Sequence, residues 1–163
     1  MDILSLLKAE RESLLQILLD TEEQEASGSA LSILFWPMEE AIRLSIRTER
    51  DFLYPEISEL LPNAAKLTEL GQQQHERIEF LLEMLTGSLQ DHQEASCQDA
   101  WGRLKSEILL HIRHQQERIM PEMRALIPTQ DREDLAEILQ DLRLEWTESG
   151  LYRPKAQLVA CSG

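Results

Sequence analysis

The chain has 163 residues, in the range of one compact domain, and 42% of them are apolar, enough for a sizeable core. Its 16 Lys and Arg against 30 Asp and Glu leave a net charge of −14, whose field repels phosphate backbones. Nucleic acid and anionic membrane are therefore not expected as partners, a protein partner is the class left open, and nothing signals an oligomeric state. No apolar run approaches the roughly 20 residues of a membrane span, and Met1-Asp2 opens without the basic stretch of a secretory leader. Cys97 and Cys161 have neither disulfide-framework nor metal-ligand spacing, so a cytoplasmic location is expected.

No segment alternates as a strand would, and the chain reads as all-α. A first helix is predicted from about Asp2 to Gln24, with Leu4, Leu7, Leu14 and Leu18 on one stripe, ending at Ser27-Gly28-Ser29. A second runs from about Ala30 to Leu61 with Leu31, Leu34, Met38, Ile42, Phe52 and Leu60 inward. Pro62-Asn63 ends it and caps a third, about Ala64 to Leu85, bearing Leu67, Ile78, Leu82 and Leu85. A polar loop is expected from Thr86 to Ser96. A fourth helix follows from about Gln98 to Ile127, through Trp101, Leu104, Ile108, Ile119 and Met123. Pro128-Thr129 starts a fifth, carrying Leu135, Ile138, Leu139, Leu142 and Trp146. Long amphipathic helices with short connections suit an up-down-up-down four-helix bundle over residues 1–128, with an appended C-terminal helix over 129–148 and a flexible tail over 149–163.

The second and fourth helices repeat each other. Leu44 to Pro62 aligns without a gap onto Leu110 to Pro128, and Leu, Ile, Arg, Pro, Glu, Leu and Pro recur in place. Each copy keeps a proline (Pro55, Pro121) inside its helix, where it removes a backbone donor, so a bend is expected in the last turns.

Every apolar stripe is also interrupted by polar residues: Arg11 in the first helix, Ser45 and Glu49 in the second, His75 in the third, His111 and Gln115 in the fourth. In antiparallel neighbours, residues equidistant from the connecting turn lie side by side. Arg11 and Ser45 have their midpoint at position 28, Glu49 and His75 at 62, and His75 and His111 at 93, each inside a connection. At 1.5 Å per residue all of them fall roughly 20 to 27 Å from the turns, in one layer. Burying such groups alone costs several kcal/mol each, so the layer must satisfy itself or hold something that does.

Carboxylate and imidazole at i and i+4 on facing helices of a bundle resemble the hemerythrin-like (HHE cation-binding) family. The resemblance covers about Leu4 to Pro128 and is carried by Leu6 to Arg11, Ser45 to Glu49 running to Tyr54-Pro55, Gln74-His75-Glu76, and His111 to Gln115 running to Met120-Pro121. It implies a dinuclear iron centre held by a histidine on the first helix, His-x-x-x-Glu on the second and fourth, and a histidine on the third. At the matching positions this chain keeps Glu49, His75 and His111, and has Arg11, Ser45 and Gln115 where the family has His, His and Glu. A guanidinium offers no lone pair and stays charged, so Arg11 repels a cation from the first iron position and is available to pair with Glu49.

Two functions follow. The first is a hemerythrin-like domain that has lost its two-iron site and serves as a binding or regulatory module, with no cofactor and with Arg11, Ser45 and Gln115 filling the vacated half. The second is a mononuclear site in which His75, His111 and Glu49 hold one Fe, Mn or Zn ion for sensing or oxidoreduction. Whether the chain is an enzyme stays open. His75 and His111 also have a purely structural reading as core histidines bonded to Gln115, Glu49 or Glu79; Tyr54 either donates a hydrogen bond towards the site or packs on the proline turn, and Arg11 is either a buried charge or a side chain that snorkels out to Glu10 or Glu12.

Overall fold

The computed structural model describes residues 1–26, 28 and 30–150, and every secondary-structure element among them is helical. In chain order these are α1 (Ile3–Ala26), α2 (Leu31–Arg47), a π-helical turn (Thr48–Leu53), α3 (Tyr54–Leu60), α4 (Ala64–Gln90), α5 (Glu94–His114), a second π-helical turn (Gln115–Ile119), α6 (Met120–Leu126) and α7 (Thr129–Glu148). Two compact units are distinguished: Met1–Phe52 together with the chain from Pro128, and Leu53–Ile127. Among the described residues no helix is long and apolar enough to cross a membrane. The tail expected over 149–163 lies, after Gly150, outside the described residues.

In the first unit α1 packs against α2 and α7. Its stripe of Ile3, Leu4, Leu7, Leu14 and Leu18 is buried, and Arg11 is buried in the same row. Asp2 starts the helix by accepting the Leu4 N–H at 2.8 Å, and its other carboxylate oxygen takes the Arg132 Nε–H at 2.8 Å. Farther along, Arg143 pairs with Glu10, so the two ion pairs advance together and α7 runs parallel to α1. The Arg47 guanidinium lies 5.7 Å from the ring centre of Trp146, joining α2 to α7. Gly28, at φ 95°, makes the turn into α2 in a conformation that disfavours a side chain. Ile138, expected inward, is 47% exposed because the buried row of α7 is set by Leu135, Ala136 and Leu139.

In the second unit α4 packs against α5 and α3. The polar loop expected over 86–96 is a correction: α4 continues to Gln90 and α5 begins at Glu94. Polar residues with adequate helix propensity extend a helix as readily as apolar ones. Thr86 turns its hydroxyl back to the Leu82 carbonyl at 2.9 Å, and exposed His92, at φ 55°, makes the reversal. Leu60, expected inward, is 40% exposed in the last turn of α3, where Ile57 and Leu61 face the core instead.

The helices expected over about 30–61 and 98–127 are both present, and each contains a π-helical turn ending just before its proline. Pro55 and Pro121 have no N–H to give the carbonyl one turn back. The wider turn lets a new α-helix start with proline in its first turn, where the donor is not needed. The widening also turns adjacent residues inward together: Thr48 with Glu49, Phe52 with Leu53 and Tyr54, His114 with Gln115, Ile119 with Met120.

Candidate metal centre

His75 comes from the middle of α4 and is fully buried, and His111 comes from the last turn of α5. Their ring centres are 4.8 Å apart with planes tilted by 59°. Each ring is held by a different neighbour. Tyr54 stacks on His75 at 5.4 Å with an interplanar angle of 11°, and its hydroxyl accepts a hydrogen bond from the Gln115 amide at 2.9 Å. The Gln74 amide oxygen lies 2.9 Å from His111 Nδ1.

Amide oxygens only accept, so a hydrogen bond between these groups places a proton on His111 Nδ1. The third buried histidine has the opposite arrangement. His114 Nε2 faces the Leu67 carbonyl oxygen at 2.9 Å, which assigns its proton to Nε2 and commits that nitrogen to the backbone.

Glu49 is the second residue of the π-helical turn that follows α2 and is buried. One ligand atom from each of Glu49, His75 and His111 lies within 4.8 Å of the others, and this buried group is of a size and composition to hold a metal ion.

Arg11 is buried, and burial pulls its guanidinium below the ordinary arginine range; the Glu49 carboxylate, and less strongly Glu12, work against that shift. The burial of Arg11 does not fit a side chain that snorkels out along the surface, and Glu10 pairs with Arg143 instead. Ser45 is half-buried on α2, one turn before Glu49. Gln115 joins the group through Tyr54. Glu79, four residues beyond His75, is half-buried.

In the sequence Gln74 stands out only as part of the Gln74-His75-Glu76 segment, without a role of its own. The signal for Gln74 was its place on the same face as Gly71 and Ile78, whereas Gln72 and Gln73 point outward. No family model, curated protein or solved structure matches the chain.

Proposed function

We propose that this chain is a metal-binding helical domain that takes up one divalent ion through Glu49, His75 and His111. The observation carrying this reading is the burial of one carboxylate and two imidazoles with their ligand atoms within 4.8 Å of one another. Their donor set suits ferrous, manganous or zinc ions, and such an ion would supply Lewis acidity or, for iron and manganese, one-electron redox chemistry. The chain's own residues supply orientation and exclusion of water: Gln74 and Tyr54 each fix one imidazole, and all three ligand side chains are buried.

On the same reading the helices form a hemerythrin-like up-down bundle with α7 added, and the two-iron centre of that family does not fit this chain. Arg11 brings a positive charge where a ligand would be needed, and Ser45 and Gln115 replace two further ligands. Dioxygen carriage, which draws on two irons, is not part of the proposal.

A second reading is favoured by one observation, the support that Glu49 gives to the Arg11 charge. A carboxylate held by a guanidinium offers less to a metal, and the domain then serves as a metal-free binding or regulatory module. Elemental analysis of protein purified without chelator, followed by titration with ferrous, manganous and zinc ions, separates the two. The metal reading expects one ion per chain, lost on His75→Ala; absence of uptake at stoichiometric concentrations overturns it.

A further inference from the structure

We propose that Gln74 is a positioning residue that sets the tautomer and orientation of His111 so that Nε2 is presented as the ligand atom. The proposal rests on the metal reading above for its purpose, and on the geometry of Gln74 and His111 for its substance. Gln74 is buried whereas Gln72 and Gln73, which precede it, are exposed, and a buried amide is costly unless bonded. Its oxygen is 2.9 Å from His111 Nδ1, inside the second unit, where α4 and α5 are packed together.

An isolated neutral histidine favours the Nε2–H form. Gln74 reverses that preference for His111, whereas the Leu67 carbonyl reinforces it for His114. The two buried histidines, three residues apart on α5, are thereby sorted into one bonded through Nδ1 and one bonded through Nε2. Partners behind a ligating histidine characteristically act in this way, and their loss weakens metal binding.

The test is nitrogen-15 NMR of the histidine side chains in the metal-free protein, combined with zinc and manganese titrations. In the native chain the His111 proton is expected on Nδ1 and the His114 proton on Nε2. Gln74→Met, close in shape, should shift the His111 proton towards Nε2, leave His114 unchanged and weaken metal affinity by about 10- to 100-fold. Gln74→Glu should restore the Nδ1–H form and bind at least as tightly as the native chain. A native His111 protonated on Nε2, or a Gln74→Met variant with unchanged tautomer and affinity, overturns the role of Gln74. A native chain that takes up neither metal overturns the metal reading instead, and the tautomer result still decides what Gln74 does.

Discussion

The Tyr54 hydroxyl occupies the space into which a side chain on Gly71 would project. A Cβ built on Gly71 would stand 2.6 Å from Tyr54 Cζ and closer still to the hydroxyl oxygen. Alanine is ordinarily better than glycine inside a helix by about 1 kcal/mol, but overpacking a buried site costs about 1 to 3 kcal/mol and the neighbour here is a fully enclosed aromatic ring. Gly71→Ala is therefore expected to lower the stability measured by urea unfolding. In a Tyr54→Leu background, where the hydroxyl is gone, the same substitution should be neutral or stabilising. Equal penalties in both backgrounds would show that the ring is not what Gly71 accommodates.

Gln115 and Tyr54 form a buried pair whose cost on disruption is unequal to its worth. Gln115→Leu or Tyr54→Phe each removes one side of a 2.9 Å hydrogen bond and is expected to cost about 1 to 3 kcal/mol. Removing both sides should cost less than the sum, with a coupling of about 1 kcal/mol in a double-mutant cycle read by chemical denaturation. Additive effects would mean that the two side chains act independently.

The helices and their inward rows are legible in the sequence because burial repeats with the period of the α-helix, and Arg11, Glu49, His75, His111 and Gln115 stand out as polar residues in those rows that are indeed buried. What escapes that reading is any feature that changes the period. At both π-helical turns an extra residue is carried in one turn, which shifts the inward row, and His114 and Gln115 are both buried where the shift begins. The repeated prolines signal a disturbance at these places but not its form. The shortened connection at 91–93 escapes for a different reason: polarity marks exposure, and exposed residues such as Gln90 and Glu94 are helical as readily as not. Gln74 resembles its two glutamine neighbours in every respect except the direction it faces.

Asp2 has two duties, capping α1 through the Leu4 N–H and receiving Arg132 from α7. Asp2→Asn keeps an acceptor for the cap and gives up the charge, and should cost below about 1 kcal/mol, in the range of partly exposed ion pairs. Asp2→Ala loses both and should cost about 1 to 2 kcal/mol more than Asn does. Thermal unfolding at low and high salt resolves the two parts, since only the ion pair is screened. If Asn and Ala are equally destabilised, the cap contributes nothing.

Arg11 and Glu49 are the buried charges whose removal most directly tests the first unit. Burial lowers the affinity of the Arg11 guanidinium for its proton and Glu49 raises it, so the cation is tolerated largely on account of the carboxylate. A cation whose folded pKa is depressed disfavours the folded state at every pH below that pKa, and the penalty is relieved only as pH rises through it. A guanidinium stays protonated far above neutrality, so this contribution is constant between about pH 5 and 9 and is read by mutation rather than by pH titration. Glu49→Gln strands the guanidinium and should cost about 3 to 5 kcal/mol, and the Arg11→Met/Glu49→Gln double variant should be more stable than Glu49→Gln alone. Arg11→Met strands the carboxylate, but a divalent ion is able to take the place of the missing charge. Added zinc or manganese should then raise the melting temperature of Arg11→Met and bind at least tenfold more tightly than to the native chain, while doing nothing for Glu49→Gln. Equal responses from the two variants would show that Arg11 and the metal do not compete for Glu49.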